Sequence, residues 1–149
     1  MQSLWERLSE DLVTAMKAKD VLTLSVLRMA KAAITHAAIA KKKDTLEDHE
    51  IMEVLAKQLK QGKESFETFT RGGRKELAEK ERLEIDILQR YLPAAMSLDE
   101  LNAVVREAIA QSGAKTGSDM GIVMEILKPT VKGRADGKVV SELVRSLLA

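Results

Sequence analysis

The chain has 149 residues, 45% of them apolar and 32% charged, a balance that suits one compact soluble domain or two small ones. It contains no cysteine, which excludes disulfides, thiolate nucleophiles and cysteine-ligated metals, and its 3% aromatic content leaves alanine, leucine and methionine to fill the apolar positions, favouring helix packed on helix. A formal net charge of +1 means that any nucleic-acid binding must be local.

In chain order, the spacing of Leu4, Trp5, Leu8, Leu12, Ala15 and Met16 predicts a first helix over about residues 3–17. Asp20 is placed to cap a second, whose buried stripe is Leu24, Leu27, Ala30, Ile34 and Ala37, and the short link predicts an antiparallel hairpin. Lys41, Lys42, Lys43 and Asp44 break the pattern. Thr45 with Asp48 reads as a capping box opening a long helix through Ile51, Leu55, Leu59, Phe66 and Phe69, which Gly72 and Gly73 stop. The charged segment of about residues 74–92, with Leu77, Ile85, Leu88, Tyr91 and Leu92, reads as a partly exposed helical linker ending at Pro93.

Beyond Pro93, Ser97 and Glu100 form another capping box, and three short helices are expected over about residues 98–111, 118–127 and 135–148. The fold class is therefore all-α: an N-terminal unit over 1–92 that includes the linker, and a C-terminal three-helix unit over 93–149. No run approaches the length of a membrane span, and no basic segment precedes an apolar one at the N-terminus, so the expected location is cytoplasmic with no membrane contact.

One stretch carries the candidate site. A helical run ending in Leu127 is expected to break at Pro129 into a basic loop, in which Lys132, Gly133, Arg134, Asp136, Gly137 and Lys138 follow Lys128. The two glycines permit positive backbone angles, and cations beside exposed amides favour an anion such as phosphate. Asp136 doubles as a start signal for the last helix. Gly121, inside a helix, is expected to serve a neighbouring helix by close packing. A second basic stripe, Arg28, Lys31, Lys57, Lys60 and Lys63, reads as a solvated face. His36 and His49 lack the further ligands that a metal site needs, and no phosphate loop, dinucleotide fingerprint or nucleophile elbow is present. Hence no catalytic residue, metal or cofactor is expected.

The order Met120-Gly121-x-Val123-Met124, then Val131-Lys132-Gly133-Arg134-Ala135-Asp136-Gly137, then Val140 and Leu143, resembles the tail motif of the GatB/YqeY family. The chain resembles stand-alone members from end to end, through Leu24 to Met29, Lys57 to Ser65 with Phe69, and Tyr91-Leu92-Pro93 followed by Leu98-x-Glu100-Leu101. The resemblance implies two helical units and, for the tail, contact with tRNA while a separate domain carries out glutamine-dependent amide transfer. It carries Lys132, Gly133, Arg134, Ala135, Asp136 and Gly137 over as RNA-contacting residues, with Met120 and Gly121 as scaffold. Ile122 and Thr130 stand where the family pattern often has lysine, Glu125 where it has a small residue and Gly62 where arginine is common. These changes lower the local positive potential, so the resemblance implies weaker tRNA binding with a shallower salt dependence.

The expected function is a non-catalytic tRNA-binding accessory in aminoacyl-tRNA or translation metabolism, with Lys128, Lys132, Arg134 and Lys138 on phosphates. The alternatives are an adaptor that docks on an aminoacyl-tRNA synthetase or amidotransferase through an apolar groove between its units, exposing Leu77, Phe69 or Met124, and a carbon–nitrogen ligase using glutamine as amide donor.

Overall fold

The computed structural model describes residues 2–149, and among these every regular element is helical. The helices are α1 (Leu4–Lys17), α2 (Val21–Ala40), α3 (Asp48–Arg71), α4 (Lys75–Gln89), α5 (Leu98–Ser112), α6 (Met120–Val131) and α7 (Gly137–Leu148), with a 3₁₀ turn at Gly117–Asp119 before α6. The all-α class read from the sequence is the one the structure has. The chain divides into two compact units, Met1–Leu92 and Pro93–Ala149.

In the first unit, capping decides where helices begin. Ser3 Oγ accepts the Glu6 amide at 3.1 Å, and Asp20 Oδ1 accepts the Thr23 amide at 3.2 Å, so α1 and α2 start one residue after their caps. The α3 start differs from the Thr45 reading. Glu50 folds back onto the Glu47 amide at 3.1 Å, and the helix opens at Asp48, whose Oδ1 accepts the Leu4 amide at 3.0 Å. A long-range bond thus takes the aspartate that a local capping box would have used.

The core of this unit is a single apolar cluster in which Leu8, Leu27, Ile51 and Leu55 are fully enclosed. Each such side chain contributes about 1.5–3 kcal/mol by leaving water. Trp5 and Met16, read as part of the buried face of α1, lie outside it and are exposed. The segment read as a linker is instead a fourth packed helix: Ile87, Leu88, Tyr91 and Leu92 join the cluster, while Leu77 and Leu83 stay exposed. Tyr91 donates to Asp11 Oδ2 at 2.5 Å beneath the Arg7 guanidinium, 4.6 Å from its ring. Burial, and then that carboxylate, push its hydroxyl pKa upward. Gly62 explains how α4 comes so near α3, since a Cβ there would sit 3.3 Å from Ile85 Cγ1.

α2, at 20 residues, is long and apolar enough to cross a membrane by length and composition alone, which corrects the expectation that no run approaches that length. One side of it, Val26, Leu27, Ala30, Ile34 and Ala38, lies in the cluster. The other side leaves Val21, Met29 and Ile39 exposed at 75, 61 and 67%.

In the second unit, Leu101, Val105, Val123, Leu127, Val140 and Val144 interlock α5, α6 and α7. Ser97 Oγ accepts the Glu100 amide at 3.1 Å, and α5 ends at Gly113 with φ +70°. The helix expected to break at Pro129 continues through it to Val131. Proline there deletes only the amide that would reach the carbonyl of exposed Glu125, and burial of Leu127 and Val131 holds the final turn in register.

Candidate nucleic-acid interface

Because α6 runs past Pro129, the connection to α7 shrinks to residues 132–136, and Lys128 sits on the helix rather than in the loop. The Arg134 and Ala135 amides both donate to the Val131 carbonyl, at 2.9 and 3.0 Å, closing a tight turn. Gly133 carries φ +75°, a left-handed conformation that strains any other side chain, so this glycine is required by the turn itself. Gly137 is not. It is the first residue of α7, has no positive φ, and would meet nothing within 4 Å if given a Cβ, so the reading that both glycines supply positive angles holds for one of them. Asp136 caps α7 as expected, its Oδ1 accepting the Lys138 amide at 2.9 Å.

Arg134 also bonds within its own unit. Its Nε donates to the Ala94 carbonyl at 3.1 Å, a terminal nitrogen lies 3.7 Å from Glu100 Oε2, and its own carbonyl accepts the Met96 amide at 2.9 Å. The turn is thereby stitched to the segment leading into α5, and the Arg134 side chain is 36% exposed. It positions the turn, and Glu100, expected to close a capping box, faces Arg134 instead. No sequence spacing signals a pairing across about 40 residues.

Lys128, Lys132 and Lys138 are all exposed. Lys128 and Lys132, with Glu125 one turn earlier on the same ridge of α6, line a groove of about 450 Å³ that also takes in Met124, Val131, Ala135, Gly137 and Val140. Sequence reading found the cations and missed the groove, although Met124, Val131 and Val140 fall at helical spacing on the two helices that meet there. Met124 is half-buried in that groove, Phe69 is partly buried in the other unit and Leu77 is exposed there. Between residues 93 and 149 there are seven Lys or Arg and seven Asp or Glu, so the positive character belongs to the turn and not to the unit.

Gly121, expected to serve helix packing, leaves open space instead, since a Cβ there would meet nothing within 4 Å. In the other unit, Lys31 lies 4.5 Å above the Trp5 ring and donates to Ser9 Oγ at 3.0 Å, so it drops out of the second basic stripe, while Arg28, Lys57, Lys60 and Lys63 are exposed. Glu47, His49 and Glu50 bring ligand-type atoms within 4.8 Å of one another. Glu50 is 5% exposed and already bonded to Lys41 at 2.8 Å and Lys43 at 3.0 Å, and these bonds, with the Glu47 amide, lower its pKa to about 2. Two ammonium groups on that carboxylate oppose a bound cation.

A family model described as Yqey-like protein matches residues 5–148. The chain belongs to the YqeY family. Among its relatives is the altered inheritance of mitochondria protein 41, mitochondrial, of Pyrenophora tritici-repentis, 32% identical over 148 residues, covering 95% of this chain and 79% of the relative. The protein of the same name from Kluyveromyces lactis is 38% identical over 101 residues, covering 66% of this chain and 54% of the relative, so the match spans about half that protein's length. A Saccharomyces cerevisiae counterpart is 29% identical over 123 residues, 80% of this chain and 66% of its own length. These names overturn the cytoplasmic expectation: each relative is designated mitochondrial. The composition rules behind that expectation address membrane spans and secretory leaders, and do not distinguish compartments beyond them.

Proposed function

We propose that this YqeY-family chain is a non-catalytic helical module that binds tRNA through its phosphate backbone, with Lys128, Lys132 and Lys138 as the contacting cations. The observation that carries this reading is the exposure of three lysines around one glycine-built turn in a unit whose charges balance only when those lysines are counted. Such a turn concentrates positive potential within a Debye length, about 8–10 Å at working salt, while distant surfaces contribute little. Arg134 and Gly133 shape the turn, and Asp136 fixes the start of α7.

Filter binding of total tRNA at two salt concentrations tests this. The Lys132→Glu, Lys138→Glu double variant is expected to bind at least about tenfold more weakly than the wild type at the lower salt, with the difference shrinking as salt rises. Equal affinity of the two proteins, or no binding by either, removes the proposal.

A second reading, an adaptor for a synthetase or amidotransferase, draws support from the bare apolar side of α2, where Val21, Met29 and Ile39 are exposed. It predicts co-purification with a protein partner that survives nuclease and fails in a Met29→Glu, Ile39→Glu variant.

A further inference from the structure

The groove beside the turn is apolar along its floor and cationic along one edge, and phosphate binding alone uses only the edge. We propose, resting on the tRNA reading above, that this groove seats one unstacked nucleobase of an unpaired strand, with Glu125 accepting a hydrogen bond from the base's exocyclic amine. Lys128 and Lys132 then hold the flanking phosphates.

Size argues first. Nine residues line the groove, whereas a stable protein–protein interface engages roughly 20–30 residues a side. Its volume of about 450 Å³ lies in the range of small-molecule sites, about 300–1,000 Å³. Charge argues second. Lys128 and Lys132 stand one helical turn apart along one edge, so a chain of alternating apolar base and anionic phosphate fits the groove, whereas a duplex turns its bases inward and offers the floor nothing.

Met124 and Ala135, half-buried over the packed Val131 and Val140, give the groove polarizable and aliphatic surface suited to the face of a base without preference among bases. Selectivity falls to Glu125, the acidic residue among those lining the groove. A carboxylate facing C4 accepts from the exocyclic amine of cytosine and repels the carbonyl oxygen that uracil carries there, so cytosine is favoured over uracil, a base of the same shape. Gly137 also lines the groove and has open space where a Cβ would be, so a side chain placed there fills the groove without straining α7.

Fluorescence anisotropy with short labelled oligocytidylate, oligouridylate, an abasic ribose-phosphate chain of equal length and an RNA duplex tests the proposal. Wild type is expected to bind oligocytidylate about tenfold more tightly than the abasic chain and more tightly than the duplex, and about fivefold more tightly than oligouridylate. Gly137→Leu abolishes the advantage over the abasic chain, and Glu125→Gln abolishes the advantage over oligouridylate while keeping the other. Circular dichroism melting confirms that both variants fold.

Equal binding of oligocytidylate and the abasic chain, equal binding of cytidylate and uridylate, or Gly137→Leu isotherms identical to wild type each overturn the proposal. The last result takes the groove out of RNA binding. If these failures occur while the Lys132→Glu, Lys138→Glu variant still loses affinity, the tRNA reading stands without the groove. If that variant loses nothing, the tRNA reading itself falls.

Discussion

At the corner between α2 and α3, Lys41 and Lys43 converge on the enclosed carboxylate of Glu50; at the turn between α6 and α7, Lys128, Lys132 and Lys138 stand exposed around an apolar groove. Both are lysine-rich connections between helices. In the first, a buried acid placed three residues into a helix draws the ammonium groups inward, and the bond network holds the corner together. In the second, the cation that turns inward is Arg134, whose planar fork reaches a carbonyl and a carboxylate at once. In the corner the ammonium groups are drawn onto an enclosed acid, and at the turn the lysines stand on the surface.

The largest expected effect comes from removing the apolar support beneath the α6–α7 turn. Leu127→Ala, at a site 1% exposed, is expected to cost about 2–5 kcal/mol of stability in urea denaturation and to abolish RNA binding with it. Unchanged binding in that variant would detach the turn from its core. The next effect is selective: Lys132→Glu, Lys138→Glu should lower tRNA affinity at least about tenfold with little change in melting temperature, whereas Lys41→Gln, Lys43→Gln should lower the melting temperature with little change in affinity.

A pH titration sharpens the corner. The Glu50 pKa, held near 2 against an ordinary 4.5, gives stability that is fully present above about pH 4.5 and lost as pH falls toward 2. Glu50→Gln should remove that component of the acid transition, and an identical acid profile in the variant would contradict the bonding described. The smallest effect concerns two helical glycines. Gly121→Ala, in open space, should gain up to about 1 kcal/mol from helix propensity, while Gly62→Ala should gain less or lose, because Ile85 must give way. Urea midpoints rank them.

Much of the helical framework was legible because caps and stops are local. Ser3 and Asp20 stand one residue before their helices, Ser97 and Asp136 do the same, and Gly73 and Gly113 adopt the positive angles that end α3 and α5. The misreadings come from interactions that sequence neighbours do not encode. Thr45 lost its role to a bond between Asp48 and Leu4, and α6 passed Pro129 because Leu127 and Val131 anchor its end. The two glycines exchanged roles for the same reason: Gly62, read as a missing cation, accommodates α4, and Gly121, read as a packing site, faces open space. At the turn, the cations were visible in the sequence, but Arg134's internal partners and the groove floor required the three-dimensional arrangement.

The most direct test is the slope of log binding constant against log salt for tRNA, measured on the wild type, the Lys41→Gln, Lys43→Gln variant and the Lys132→Gln, Lys138→Gln variant, each pair removing the same charge. If the turn lysines contact phosphates, removing the Lys132, Lys138 pair should make the slope shallower by roughly one to two and removing the Lys41, Lys43 pair should leave it unchanged. Equal slopes for all three proteins, or the change appearing in the Lys41, Lys43 pair, would contradict the account.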